Sequence, residues 1–150
     1  MNQLSTIHAS AVLVGSRAVL IRGAAGAGKS RLAFALIEAG RCGALPFARL
    51  VGDDRVHTEA AHGRLLVRPA EALAGLIEIR GLGIRRVPFE PVAAVSLVVD
   101  LGAAGTERLP KRESAVTEVD GIVLPRLGVA AGTDPLPMVI AALRTKDSGH

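Results

Sequence analysis

Aromatic side chains are almost missing from this chain of 150 residues, which has three phenylalanines and neither tryptophan nor tyrosine. Hydrophobic residues still make up 49% of the sequence, so its core must be packed from valine, leucine, isoleucine and alanine. Such side chains suit a buried sheet covered by helices. A chain of this length buries roughly 68–70% of its unfolded surface. We therefore expect a single α/β domain over residues 1–150.

Cysteine and long apolar runs are also scarce. Cys42 is the one cysteine, which excludes an internal disulfide. No stretch approaches the roughly 20 apolar residues that a membrane-spanning helix requires. We also find no apolar leader at the start of the chain. These observations predict a soluble protein of the reducing cytoplasm that makes no membrane contact.

Nucleic-acid binding is not favoured either, although the formal net charge is +4. The basic residues are scattered instead of forming a run or an aromatic-interleaved patch. A modest positive field would equally attract a polyphosphate or an acidic protein surface.

What the sequence does contain is a glycine-rich segment between a strand pattern and a helix pattern. Apolar runs at 6–14 and 18–22 predict a hairpin, and apolar residues at helical spacing predict a helix over 29–39 that ends at Gly40. The segment between them fits G-x-x-x-x-G-K-[ST] at every fixed position: Gly23, Ala24, Ala25, Gly26, Ala27, Gly28, Lys29 and Ser30. Residues 23–30 are called the phosphate loop below.

The phosphate loop predicts binding of a nucleoside triphosphate. Glycines allow successive N–H groups to face one concavity, and the helix that follows adds its positive end. Lys29 can then reach the β- and γ-phosphates, and the Ser30 hydroxyl can bind Mg²⁺. The alternative is a chance match in a chain rich in small residues. The strand before the loop and the helix after it argue against a chance match.

Three acids and one histidine are candidates for the remaining chemistry. Asp53 and Asp54 follow an apolar strand, where a metal-facing carboxylate of a P-loop protein usually projects; a solvated turn pair is the alternative. Glu78 lies inside a predicted strand, where burial would require Mg²⁺ or an arginine as its partner. His8 is either a core residue whose hydrogen bonds are satisfied or, if a carboxylate lies beside it, a functional residue.

The remaining pattern is mostly strand. We expect strands over 49–58, 64–68, 76–80 and 92–101, the last being central and buried on both faces. A short helix is predicted over 70–74, a surface loop over 102–114 and a last helix over 135–144.

Four sequence blocks together resemble the catalytic domain of HPr kinase/phosphorylase. They are Ile7-His8-Ala9, the phosphate loop, residues 50–56 (LVGDDRV) and residues 78–84 (EIRGLGI). Their order and approximate spacing agree with that family over about residues 6–100. The last block is far more specific to the family than the phosphate loop.

The resemblance implies a bacterial kinase, common as a hexamer, that uses ATP and Mg²⁺ to phosphorylate a serine of the phosphocarrier HPr. It implies that Lys29 contacts phosphate, that Ser30, Asp53 and Glu78 face the metal, and that His8 supports the aspartate pair. Within the pair, Asp54 is our choice for the proton acceptor. Arg108 is similar to the family's catalytic arginine on a mobile loop.

The chain departs from the family pattern in three ways. It begins almost at the catalytic domain, like the family's short form without a separate N-terminal domain. The connection at 41–48, between the helix and the aspartate pair, is longer than usual. Residues 128–134 hold no arginine, unlike the family's dephosphorylation segment. Removal of the phosphate by inorganic phosphate, which yields pyrophosphate, therefore stays open. A small-molecule P-loop kinase and a non-catalytic sensor of ATP are the alternatives.

Overall fold

The computed structural model describes residues 5–104 and 111–146. Within these stretches the helices are α1 (Lys29–Arg41) and α2 (Leu136–Arg144), with short 3-10 turns at Glu71–Leu73 and Arg112–Ser114. The strands are β1 (Thr6–Ile7), β2 (Ala9–Val14), β3 (Arg17–Arg22), β4 (Ala48–Gly52), β5 (Val56–Ala61), β6 (Arg64–Pro69), β7 (Leu76–Ile79), β8 (Gly83–Arg86), β9 (Ala93–Leu101), β10 (Val116–Val119) and β11 (Ile122–Val129).

Strand β9 is the centre of a mixed sheet that has nine strands within the described residues. The main path of the sheet runs β1-β5-β6-β9-β3-β2-β4, and β11, which carries β10, also pairs with β9. Both β3 and β11 run parallel to β9, so the carboxyl ends of these three strands meet at one edge. The predicted hairpin of β2 and β3 and the predicted central strand are confirmed.

Side-chain alternation along the strands divides the core between the two faces of the sheet. On β3, Val19 and Ile21 pack with α1 and α2, whereas Ala18 and Leu20 pack with a second cluster on the other face. This is the period-2 pattern of a strand buried on both sides. The predicted α/β fold with a mostly β core and flanking helices is confirmed, with both helices on one face.

Helix α1 does not end at Gly40 as predicted but continues to Arg41. A Cβ added at Gly40 would lie 2.7 Å from the Cβ of Ala48, so this glycine allows the helix to approach β4 closely. The glycine with the left-handed conformation typical of a helix end is Gly43, at φ +83°. Gly40 therefore has a packing role.

The strand predicted over 49–58 is two strands, β4 and β5. The chain turns between them, and Asp54 has a left-handed φ of 70°. The run over 6–14 is likewise interrupted, at His8, between β1 and β2. Both breaks fall at candidate site residues, which leave the ladder to make other contacts.

The other differences are smaller. The segment predicted as a helix over 70–74 is one 3-10 turn, and Pro69 ends β6 instead of starting a helix. Strand β8 pairs with β7 in a separate hairpin that the sequence analysis missed. Helix α2 begins one residue after the predicted start. No helix in the described parts of the chain has the length and apolar character needed to cross a membrane.

Candidate functional site

The phosphate loop joins the end of β3 to the start of α1. Gly26 and Gly28 adopt left-handed φ values of 82° and 102°, a region that glycine enters without strain. Gly28 is the N-cap of α1. The first N–H groups of a helix have no carbonyl partner inside the helix, and the helix dipole is positive there. The predicted order of strand, glycine loop and helix is confirmed, and it creates an anion-binding concavity.

Lys29 is held over the phosphate loop by the loop's own backbone. Its side chain is buried, and Nζ donates hydrogen bonds to the carbonyl oxygens of Gly23 at 2.7 Å and Ala24 at 3.0 Å. The ammonium group is therefore already beside the loop that a phosphate would occupy. A nearby anion could replace one carbonyl as its partner.

Asp53 is the buried acid of the site. It directly follows β4, and only 4% of its surface is exposed. Both carboxylate oxygens accept hydrogen bonds from the Ser30 hydroxyl, at 2.8 Å each. The backbone N–H of Glu78 also donates to this carboxylate, at 3.1 Å. Ser30 and Asp53, which the sequence placed in one site, lie in direct contact.

Ser10 is a site residue that sequence reasoning missed. It is fully buried on β2, where its hydroxyl donates to Asp53 Oδ1 at 2.6 Å. The hydroxyl oxygen of Ser10 also accepts a weaker bond from the backbone N–H of Asp54, at 3.4 Å. Ser10 thus ties the two aspartates to one point of the sheet. A serine inside an apolar strand, two residues after His8, was the available signal.

Asp54 forms the exposed half of the aspartate pair. His8 Nε2 lies 2.7 Å from Asp54 Oδ1, and the two side chains are 41% and 59% exposed. Asp54 has a left-handed φ of 70°, and its carboxylate contacts the histidine. His8 is therefore paired with a carboxylate at the surface and is not a core histidine.

The burial predicted for Glu78 is wrong, because its side chain is exposed. Strand β7 alternates, so buried Ile77 faces the core and the next side chain faces solvent. Its backbone nevertheless contacts Asp53, so Glu78 lies at the border of the site.

The donor set suits a magnesium ion. The Ser30 hydroxyl and the Asp53 carboxylate are hard oxygen ligands, as this ion prefers, and they converge on one point. Among the residues that the structure describes, no group of three or more His, Cys, Asp or Glu side chains could form a metal cage. Magnesium is typically bound by one or two carboxylates together with substrate phosphates, so this arrangement fits it.

An ion cluster, which the sequence did not predict, lies directly before the phosphate loop. Arg22, the last residue of β3, donates to both carboxylate oxygens of Asp100 on β9, at 2.7 and 2.9 Å. Arg126 on β11 donates to the same carboxylate. Burial alone would raise the pKa of Asp100, but hydrogen bonds and charge from the two arginines hold it below its ordinary value. The cluster connects the three parallel strands beside the loop.

Arg108, the predicted catalytic arginine, falls outside the described residues, and its role stays a prediction. The roles assigned to His8, Lys29, Asp53, Asp54 and Glu78 are likewise predictions about chemistry.

A strand, a glycine loop and a helix that begins with a lysine and a serine, with a buried carboxylate bonded to that serine, define a P-loop protein. A sequence model of the HPr Serine kinase C-terminal domain matches residues 1–90. The chain therefore belongs to the HPr serine kinase family.

Individual relatives agree with this assignment. The HPr kinase/phosphorylase of Clostridium tetani is 35% identical over 99 residues, which are 66% of this chain and 30% of that protein. That of Limosilactobacillus reuteri is 32% identical over 140 residues, covering 85% of this chain and 41% of that protein. The chain thus spans less than half the length of these relatives.

A solved structure covers nearly the whole chain. It is the Hpr(Ser) kinase/phosphatase from Coxiella burnetii, which is 25% identical, with a TM-score of 0.74. The alignment covers 93% of this chain and 94% of that one.

Proposed function

We propose that this chain is an ATP-dependent protein kinase that phosphorylates a serine of an HPr-type phosphocarrier. The observation that carries the proposal is the contact between the phosphate loop and the aspartate pair. Ser30 binds Asp53, and Asp54, the next residue, is paired with His8 at the surface. The phosphate loop therefore lies beside the carboxylate that we propose as the proton acceptor, an arrangement that phosphoryl transfer requires.

In this mechanism the phosphate loop and Lys29 hold the triphosphate, and Asp54 accepts the proton of the acceptor serine. The serine oxygen forms a bond to the γ-phosphorus while the bond from that phosphorus to the bridging oxygen breaks, and ADP leaves. His8 orients the Asp54 carboxylate through their hydrogen bond. Arg108 would offset charge developing on the transferred group.

Magnesium would be held by Ser30 and Asp53, with Glu78 at the border of the site. When bound, it would neutralise phosphate charge during transfer. Ser10 keeps the buried carboxylate in place for that purpose.

The exposure of Asp54 and His8 supports a protein acceptor over a small metabolite. A small-molecule kinase requires a concave pocket with convergent polar groups around the acceptor. Here the proposed proton acceptor is 59% exposed in its side chain, so it is accessible to a serine on another protein. This favours the kinase of a phosphocarrier over the metabolite kinase.

The proposal is tested with purified protein, ATP, Mg²⁺ and HPr-type phosphocarriers, read by intact mass. An added phosphate on the carrier supports it, and a carrier whose acceptor serine is replaced by alanine is the control. ATP binding without transfer to any acceptor would indicate the nucleotide sensor. Phosphorylated metabolites with an unmodified carrier would indicate the small-molecule kinase. Orthophosphate added afterwards tests reversal, with pyrophosphate as the product.

We further propose that residues 1–150 act as one catalytic domain in the cytoplasm and assemble into oligomers, in line with the family resemblance. Sedimentation of the purified chain tests the last point.

A further inference from the structure

A small cavity lies beside the phosphate loop, on the flank away from the aspartate pair. Its volume is about 200 Å³, and its wall includes Gly26 and Ala27 of the loop, Leu101, Val129, Ala131 and Thr133. Leu101 ends β9 and Val129 ends β11. In open α/β sheets, ligands bind in the crevice outside the carboxyl ends of the parallel strands, which is where this cavity lies.

The cavity and the acids lie on opposite sides of β3, the strand that leads into the phosphate loop. In the sheet, β9 and β11 are on one side of β3, and β2 and β4 are on the other. Asp53 follows β4, whereas the cavity is at the ends of β9 and β11. A triphosphate lying along the loop with its terminal phosphate toward Asp53 would therefore have its other end toward the cavity.

The lining of the cavity suits an uncharged group. Among its described lining residues none is ionisable, and Thr133 has the one polar side chain. Phosphates are expected at the helix start and Lys29, whereas base and ribose are the neutral part of a nucleotide.

The start of the phosphate loop touches the same wall. A Cβ added at Gly23 would lie 3.2 Å from both the Cβ and the carbonyl oxygen of Leu101. The cavity is thus continuous with the phosphate loop and is not a separate surface feature. Pockets that enclose a whole ligand usually measure roughly 300–1,000 Å³. A cavity of this size would hold one part of a nucleotide.

We propose that this cavity binds the nucleoside of the triphosphate. This proposal rests on the proposed function. With one hydroxyl and otherwise apolar or backbone groups, the cavity holds a base by packing. The proposal makes Ala131 and Thr133 determinants of nucleotide affinity; both are exposed, line the cavity and lie outside the phosphate loop.

The test compares ATP with inorganic tripolyphosphate, which has the phosphates but no nucleoside. Calorimetry in the presence of Mg²⁺ gives both affinities for the unaltered chain, Ala131→Trp and Thr133→Trp. Ala60→Trp, at an exposed position on β5 outside the cavity, is the matched control. We expect the two cavity variants to lose about tenfold or more in ATP affinity, while tripolyphosphate affinity and the control stay within about twofold.

The chain has neither tryptophan nor tyrosine, so each introduced tryptophan reports on its own surroundings. Saturating ATP should change the fluorescence of both cavity variants, tripolyphosphate should change it far less, and Ala60→Trp should respond to neither. Two results would overturn the nucleoside site, each accompanied by the same fluorescence response to both ligands. In one, the cavity variants lose equal affinity for ATP and for tripolyphosphate; in the other, they lose affinity for neither. If the unaltered chain bound neither ligand, the proposed kinase function itself would fail.

Discussion

The hydroxyl of Ser30 lies 2.8 Å from both carboxylate oxygens of Asp53, although the two residues are 23 positions apart. This contact joins the first turn of α1 to the end of β4 across β3 and β2. It brings a hydroxyl from the phosphate loop and a buried carboxylate to one point. The proposed magnesium site depends on this pair.

Replacing Ser30 by alanine should reduce the contribution of Mg²⁺ to ATP binding. We expect the gain in ATP affinity on adding Mg²⁺ to fall by about tenfold, because one oxygen ligand is lost. Calorimetric titrations with and without Mg²⁺ measure it. Ser16→Ala, in the turn just before β3, is the control. An unchanged magnesium effect would exclude Ser30 as a ligand.

Ser10→Ala should destabilise the fold. The buried hydroxyl donates to the Asp53 carboxylate, so its loss should lower the free energy of unfolding by about 1–3 kcal/mol. Urea denaturation checks this value, with Ser96→Ala at a half-buried position on β9 for comparison. Equal stability of the unaltered chain and Ser10→Ala would contradict the bridging role of Ser10.

Gly40→Ala tests whether Gly40 is required for close packing. Alanine is normally the better helix former, but here its Cβ would lie 2.7 Å from the Cβ and 2.8 Å from the backbone nitrogen of Ala48. We expect a loss of about 1–3 kcal/mol in the free energy of unfolding. The double variant Gly40→Ala/Ala48→Gly should recover part of it. A gain in stability from Gly40→Ala would contradict the packing role.

Asp100→Asn should weaken the ion cluster before the phosphate loop in a pH-dependent way. The pKa of Asp100 in the folded chain is lowered below its ordinary value of 3.8. The carboxylate therefore stabilises the fold at pH values above 3.8, and this stabilisation is lost as the pH falls through the folded pKa. At pH 7 we expect the variant to melt about 2–8 °C below the unaltered chain. The difference should shrink on acidification below about pH 4. Melting curves at several pH values decide this, and a pH-independent difference would exclude the charge as the cause.

Patterns local in sequence predicted much of the fold. The glycine pattern of the phosphate loop, the apolar run of β9 and the helical spacing of α1 each depend on neighbouring residues, so they could be recognised without tertiary information. Those elements were confirmed.

The contacts of the site could be predicted only in part. The strand ending at Asp53 was visible, but the bond from Ser10 to Asp53 spans 43 positions and depends on the pairing of β2 with β4. The cluster of Arg22, Asp100 and Arg126 likewise depends on three parallel strands in register. Glu78 was misjudged because an acid between two isoleucines looks buried, whereas alternation on β7 exposes it.

The most direct test of the proposed mechanism is the rate of phosphate transfer to an HPr-type carrier by Asp54→Asn. Single-turnover reactions at saturating ATP, read by intact mass, would be compared with those of the unaltered chain, with ATP affinity measured in parallel. We predict a rate about 10²–10⁴-fold lower and nearly unchanged ATP affinity, because the variant keeps the phosphate loop and loses the proton acceptor. Undiminished transfer by Asp54→Asn would contradict the mechanism.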